Sequence, residues 1–552
     1  MRFDDDLNLA SYFLFERIAE GLGAKVALRF GERAYTYELV AHRARHVAEA
    51  LRRHGVRRGE RVLIVLPDMP PFAWAIFGTF HRGAVVAMGN PHAPVESIDY
   101  LIGYTRATCV ITTPSIAQHV ADEFPTLGRE LQVVFVVPDV PTGADPEAPC
   151  DVPKHPKFFD FARAIADVTP ALEPIPTHRD EPAMWLFTSG STGEPKANVH
   201  SHRDFAYSTE MYAKRTVKYQ ASDVTVSVPR LFFGYATGTN LFFPFAVGAT
   251  VGLFTERPTP ESLIAALERY APTVVTNVPT MLGKLLDHDE SERAAGRPGL
   301  DLSSVRFSLS AGEALPEALL RRWNDRFSSD VYDGIGSAEM FHIYASNRPG
   351  DVRPGSLGRV VEGYEIRVLP EDAEGAGAAP CAPGEIGVLW VKGDSVSHGY
   401  WLDRDRSFRT FHGHWCRTGD LFSIDADGYV YFAGRADDLL KVGGQWVAPL
   451  EVEECLMRHP AVQAAAVVGI TDEGLVKPKA FVVLRSGETR AHDVVEAELQ
   501  DHVRAILSKH KYPRVIEFVD DLPKNDRGKV DKKALRERQS LPPLPETERS
   551  PS

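Results

Sequence analysis

Cysteine is scarce in this chain: five occur in 552 residues, at Cys109, Cys150, Cys381, Cys416 and Cys455. Five are too few for a disulfide framework, and no pair has zinc-finger spacing. Reduced, buried thiols and a cytoplasmic location are expected. A basic excess is also missing. Acidic residues outnumber basic ones 75 to 62, for a net charge of −13. Nucleic-acid binders more often show the opposite balance, so nucleic acid is not an expected partner. The opening segment MRFDDDLNLASYF sets three aspartates where a secretory signal needs positive charge followed by an apolar core, so no such signal is expected. One uncharged stretch, Leu231–Phe254, is long enough to span a bilayer. It contains Gly234, Gly238, Gly248, Gly252, Pro244 and Asn240. Such a run of breakers and polar groups suits a buried loop, a helix and a strand, and no membrane partner is expected.

What is present reads as ordinary globular protein: 44% hydrophobic and 25% charged residues exclude wholesale disorder, collagen and a coiled-coil rod. At ~150 residues per domain the length predicts three or four domain-sized units. The first 180 residues alternate between strand and helix patterns. A helical stretch runs to about Arg53, the strand RVLIVL covers 61–66, Pro70 and Pro71 open a helix, and CVITT at 109–113 is a strand. The rhythm continues through a helix at Glu261–Tyr270, a strand at Thr273–Thr276 and a helix at Pro279–Leu286. This alternation predicts an α/β fold with a mostly parallel sheet. From Gly384 the texture changes to short runs of antiparallel β character, at 385–391 and 428–434. After Asp437 comes a smaller unit with a helix starting at Glu451 and the strand AAAVVGI at 464–470. The last residues are polar and proline-rich, and a disordered tail is expected over 541–552.

Four segments carry chemistry. In WLFTSGSTGEPK (185–196) an apolar strand runs into a loop bearing Thr188, Ser189, Ser191 and Thr192, glycines and Lys196. Hydroxyls and unobstructed backbone N–H groups make a phosphate cradle, to which the lysine adds a point charge. It is not a Walker A loop, which needs Gly-Lys followed directly by Ser or Thr. In YDGIGSAE (332–339) two glycines let backbone approach a planar ligand, and Glu339 is a candidate for Mg²⁺. WCRTGDL (415–421) and GRADDLLKVGG (434–444) supply Asp420, able to accept from a vicinal diol, and Arg435, able to donate to the same sugar. In PKNDRGKVD (523–531) Lys529 follows a glycine, a mobile charge suited to a phosphoryl-centred transition state.

These segments, in this order and spacing, resemble the adenylate-forming superfamily of acyl- and aryl-CoA synthetases, luciferases and peptide-synthetase adenylation domains, along nearly the whole chain. The resemblance implies a large N-terminal domain over 1–436, built of α/β subdomains plus a β-rich one, and a small, mobile α+β C-terminal domain over 437–540 that is hinged at Asp437. It implies ATP, Mg²⁺ and coenzyme A as co-reactants, leaves a homodimer open, and implies a two-step reaction. A carboxylate attacks the α-phosphate of ATP; then the small domain rotates and a thiol attacks the acyl-AMP. By the same resemblance the 188–196 loop holds the phosphates. Gly312, Glu313, Asp333, Gly334 and Ile335 frame adenine. Glu339 binds the metal, Asp420 and Arg435 bind ribose, and Lys529 bridges substrate carboxylate and α-phosphate. Gly443 and Gly444 line the pantetheine tunnel. Two positions depart from the family pattern: Ala197 stands where glycine is usual, and Ala338 where threonine is usual.

Within the superfamily the chain most resembles the benzoate-CoA ligases, through LFFGY (231–235), FPFAVGAT (243–250), SAGEALP (310–316) and DGIGSAEMFHI (333–343). That branch implies an acyl pocket of Phe233, Gly234, Tyr235, Gly336, His342 and Ile343. Gly234 stands where the benzoate enzymes have alanine. Space for one methyl moves specificity by ~1–3 kcal/mol, which favours an ortho-substituted ring and 2-aminobenzoate (anthranilate) ahead of benzoate. The tautomer of His342 stays open at this level. The alternative is a stand-alone aryl-acid adenylating enzyme that loads a carrier protein.

Overall fold

A computed structural model describes residues 2–189, 194–313, 315–435, 440–442, 445–472, 475–485, 487–508, 510–523 and 530–538. Ser191, Thr192, Asp437, Gly443, Gly444, Lys529 and the 541–552 tail lie outside the described residues.

The first layer follows from local rules. Thr36 caps the helix Tyr37–Arg53 by accepting from the Leu39 N–H at 3.2 Å. Val40, Ala44, Val47 and Leu51, spaced three or four apart, form its buried stripe. The next helix, Pro70–His81, starts on two prolines that cost no hydrogen bond there. Every residue of it is buried, because it is packed between the Tyr37–Arg53 helix and the sheet. Strand Arg61–Val65 pairs in parallel with Val85–Met88 and with Cys109–Thr112. Among the described residues this sheet has seven strands, and its last hairpin is Pro182–Ser189 against Pro195–Ser201. A second sheet of nine strands carries Val224–Ser227, Val274–Asn277, Phe307–Ser310 and Asp330–Gly336 as parallel neighbours. One continuous apolar core joins both sheets, from Phe13 and Trp74 to Phe242 and Tyr344.

The uncharged stretch lies inside, as its breakers suggest. It folds into the short helical turns Gly234–Thr237, Gly238–Phe242 and Phe243–Ala246 and the strand Thr250–Leu253, mostly buried. Among the described residues no helix is long and apolar enough to cross a membrane. The predicted helix at 279–286 runs on to Ala294. Its polar second half is held by a buried ion pair: Asp289 receives Arg326 of the helix Glu317–Phe327 at 2.6 and 2.8 Å.

From Glu365 on the sheet is antiparallel. Gly387–Lys392 pairs with Trp415–Ile424, which pairs with Val430–Arg435. Beyond residue 440, the strands Val462–Asp472, Leu475–Leu484 and Val515–Phe518 and the helices Pro449–Met457 and His492–Ile506 form a small α+β unit. Its core of Val447, Val452, Leu456, Val467, Val482 and Leu499 comes entirely from its own residues. The fold is thus a large α/β domain with a β-rich part and a small C-terminal domain.

Candidate active site

In an open parallel sheet, ligands sit beyond the carboxyl ends of the strands. Here Ser227 lies opposite Thr276, Asn277 opposite Ser310, and Ser310 opposite Asp333. The segments leaving these strand ends therefore emerge along one edge. They carry Phe233–Tyr235, Gly312 and Glu313, and Gly336–Glu339. Asp333, Gly334 and Ile335 close the last parallel strand. Asp333 is 3% exposed, and among the described residues its Oδ1 has no hydrogen-bond partner. Burial raises its carboxyl to about 7.

Of the described phosphate-loop candidates, Thr188 lies opposite Lys196 and Ser189 opposite Pro195, at the end of the Pro182–Ser189 and Pro195–Ser201 pair. That end of the pair is held from outside. Tyr100 Oη donates to the Pro195 carbonyl at 3.0 Å, and Tyr104 Oη to the Trp401 carbonyl at 2.7 Å. Trp401 lies against Trp185, ring centres 4.8 Å apart. The methyl of Ala197, where the family usually has glycine, is buried in the same cluster with Val85 and Trp185.

Glu339 sits in the short turn Ala338–Met340. Each carbonyl of that turn is held. His200 Nε2 lies 2.6 Å from the Ala338 oxygen, the Ser397 N–H donates to Glu339 at 2.9 Å, and Ser395 Oγ donates to Met340 at 2.9 Å. Tyr400 Oη donates to Glu339 Oε1 at 2.8 Å. Among the described residues no three His, Cys, Asp or Glu side chains form a metal cage. A lone presented carboxylate fits Mg²⁺, which keeps waters and shares the phosphates of its nucleotide.

Asp420 and Arg435 face each other across the antiparallel pair, so the two ribose candidates are brought together. Gly419, at φ 76°, turns the chain so that the Asp420 N–H meets Thr418 Oγ1 at 3.2 Å. The segment bearing Lys529 has its ends closed on each other, because the Asp531 N–H donates to the Pro523 carbonyl at 2.7 Å. Lys532 then anchors to Glu453 at 2.7 Å.

The acyl-pocket candidates cluster around His342, which is 2% exposed. Its ring centre lies 5.3 Å from that of Tyr235, 5.4 Å from Tyr212 and 4.6 Å from Phe243. Nε2 lies 3.0 Å from the Tyr235 carbonyl oxygen, which can only accept, so Nε2 carries the hydrogen. Nδ1 is then an acceptor, and among the described residues neither it nor the buried Tyr235 hydroxyl has a hydrogen-bond partner. Burial lowers the imidazole to about 3, so the ring is neutral. Gly336 has no room for a side chain: a Cβ would come within 2.5 Å of the His342 carbonyl. A Cβ on Gly234 would lie 3.3 Å from both methyls of Leu186.

Sequence reasoning missed several residues that fix this geometry: His200, Tyr400, Leu186 and Asp68. Asp68 is fully buried, accepts from the Leu231 N–H at 2.9 Å and lies 3.6 Å from Arg230. It ties the Phe233–Tyr235 segment to the first sheet. Burial raises its carboxyl to about 6 against the pull of Arg230. Leu186 lies inside the 185–196 motif and the others lie outside any motif; all four take their roles from contacts between distant segments.

The model of the AMP-binding enzyme family matches residues 15–401, and that of its C-terminal domain matches 451–529. The benzoate–CoA ligase of Thauera aromatica is 36% identical over 97% of this chain and 97% of its own length. The crystal structure of the anthranilate CoA ligase AuaEII in complex with anthranoyl-AMP superposes with a TM-score of 0.87 at 33% identity, covering 98% of this chain and 100% of that one. A benzoate CoA ligase from Burkholderia xenovorans LB400 gives 0.83 at 36% identity, over 96% of this chain and 99% of that one. The chain belongs to the AMP-binding, adenylate-forming family. Within it, the chain is an acid–thiol ligase of the AMP-forming kind, whose small-molecule substrates include ATP and coenzyme A.

Proposed function

We propose that the chain is an aryl-CoA ligase for a benzoate-type acid, with 2-aminobenzoate ahead of benzoate. The carboxylate oxygen attacks the α-phosphorus of ATP and pyrophosphate leaves. The thiol sulfur of coenzyme A then attacks the acyl carbon, and AMP leaves. In this reading the Thr188–Lys196 turn, with Ser191 and Thr192, holds phosphates. Glu339 meets the Mg²⁺ that neutralises phosphate charge, and Asp333 accepts from adenine. Asp420 and Arg435 hold ribose. Lys529 serves the first step. Rotation about Asp437 then brings Gly443 and Gly444 to the pantetheine arm. A homodimer belongs to the same reading and is tested by light scattering in solution.

The observation that carries the choice of acid is the buried aromatic cluster around His342 with its unpaired Nδ1 acceptor. Flat rings favour one aromatic ring. A buried acceptor favours a ring that brings an N–H donor, since a polar group left unpaired costs about 1–3 kcal/mol. Similarity to both benzoate and anthranilate ligases supports the same range of acids. A carrier-protein loader is the less favoured alternative. The test is a panel of aromatic acids assayed with ATP, Mg²⁺ and free coenzyme A. Thioester formation with 2-aminobenzoate or benzoate is the expected result. Acyl-AMP release without thioester moves the assignment to carrier loading, and no turnover with any aromatic acid removes it.

A further inference from the structure

One side chain touches both charged groups that, in the reading above, face the ATP phosphates. Tyr400 follows a segment that runs beside the second strand of the phosphate hairpin. The His398 N–H donates to Val199, the Val199 N–H to Gly399, and the Trp401 N–H to Ala197, at 2.8, 3.0 and 2.9 Å. This extra ladder turns the Tyr400 hydroxyl onto Glu339 Oε1 at 2.8 Å. The ammonium of Lys196 lies over the face of the same ring, 6.0 Å from its centre, within reach of a cation–π attraction. Ser407 Oγ receives the Tyr400 N–H at 2.9 Å, and the ring packs on Phe411 at 5.4 Å. The ring is therefore fixed by contacts on its own segment.

We propose that Tyr400 is a positioning residue that sets Glu339 and Lys196 together. It occupies Oε1 with a neutral donor, leaving Oε2 to face a nucleotide-bound divalent cation, and it gives the lysine a fixed floor. The inference rests on Glu339 being the metal-facing acid. A tyrosine in this place couples the two halves of the phosphate site mechanically: a shift of the hairpin strand moves the glutamate's partner with it.

The test compares Tyr400→Phe, Tyr400→Ala and Glu339→Gln. Two readouts are used: the Mg²⁺ dependence of ATP–pyrophosphate exchange, and Mn²⁺ binding to the enzyme–ATP complex by electron paramagnetic resonance without turnover. Losing one charge-assisted hydrogen bond predicts that Tyr400→Phe raises the Mg²⁺ half-saturation by about five- to tenfold and weakens Mn²⁺ binding similarly. kcat falls by much less at saturating metal, and KM for ATP changes little because the ring remains. Tyr400→Ala raises KM for ATP as well. If Glu339→Gln shifts both readouts and Tyr400→Phe shifts neither, the positioning role is wrong. If Glu339→Gln shifts neither, the assignment of Glu339 fails and this inference fails with it. Phenylalanine keeps the packing, so the outcome does not depend on whether the alanine variant folds.

Discussion

Nε2 of His200 lies 2.6 Å from the carbonyl oxygen of Ala338, the residue before Glu339. The other ring nitrogen lies 2.9 Å from Asp204 Oδ2. Asp204 in turn accepts from the Ser201 N–H at 3.0 Å and from its hydroxyl at 2.6 Å, which is also the cap of the helix His202–Ser208. Imidazole and carboxylate are essentially inaccessible to water. The turn carrying Glu339 is thus hung from the strand that leaves the phosphate loop. Without a threonine hydroxyl at Ala338, the backbone of this turn carries more of the local geometry. His200→Ala removes the imidazole from Asp204, which keeps only Ser201, and takes the donor from the Ala338 carbonyl. The expected cost is on the order of 1–3 kcal/mol, read as a lower urea midpoint, together with a raised KM for ATP. His200→Gln restores a donor to Ala338 but not the full pairing with Asp204. It recovers KM more than it recovers stability; equal recovery of both would mean that the histidine acts on stability alone.

A second prediction follows from Asp333. An acid raised to about 7 binds its proton more tightly folded than unfolded. Its contribution to stability therefore declines as pH climbs from about 4 towards 7. Function runs the other way. The ionised carboxylate is the stronger acceptor for the adenine amino group, so KM for ATP falls as pH rises from 6 to 8. Asp333→Asn flattens that profile. A level wild-type profile across this window would remove Asp333 from the nucleotide site.

The architecture was largely legible because hydrophobic periodicity is local. The buried stripe of Tyr37–Arg53, the proline-opened helix at Pro70 and the strand at 462–472 all announce themselves within a dozen residues. The Leu231–Phe254 stretch was legible for its breakers. The motif segments stood out in the sequence and the resemblance supplied their roles, and the register Asp420 to Arg435 sets the two ribose candidates side by side. What escaped was everything made by partners far apart in the chain. Asp289 reads as a solvated acid until Arg326 is seen against it. Asp68 reads as a turn residue until Leu231, 163 positions on, donates to it. His200 and Tyr400 sit in polar, unremarkable text, and only the crossing of two segments gives them their work.

The two half-reactions separate at Lys529. The described residues on either side of it meet each other, Asp531 N–H donating to the Pro523 carbonyl, and Lys532 pairs with Glu453 of the small domain. Lys529→Ala removes a charge and leaves these flanking contacts in place. Adenylation, followed as ATP–pyrophosphate exchange, is expected to fall by several orders of magnitude, while thioester formation from supplied aryl-AMP persists. Equal loss in both halves would take the first-step role away from Lys529. Asp437→Pro, which restricts φ at the expected hinge, is the complement: it spares exchange and blocks thioester formation.

Acid selectivity is expected to turn on Gly234 and Leu186 together. From sequence, glycine at 234 frees the space of one methyl. The geometry gives that space a neighbour, since a Cβ would lie 3.3 Å from both Leu186 methyls. Leu186 is 3% exposed, on the strand that enters the phosphate loop. An added methyl must therefore push Leu186 or intrude on the acid. Gly234→Ala should lower kcat/KM for 2-aminobenzoate more than for benzoate, by about tenfold in the ratio, the scale of one methyl in a pocket. Leu186→Val removes a methylene from the opposite side at a cost of about 1 kcal/mol of stability. Because the two side chains touch, their effects couple rather than add, and the double variant should recover most of the lost ratio. An unchanged ratio in Gly234→Ala would detach this position from the acid. A lost ratio that Leu186→Val fails to recover would place the added methyl against the substrate and not against Leu186.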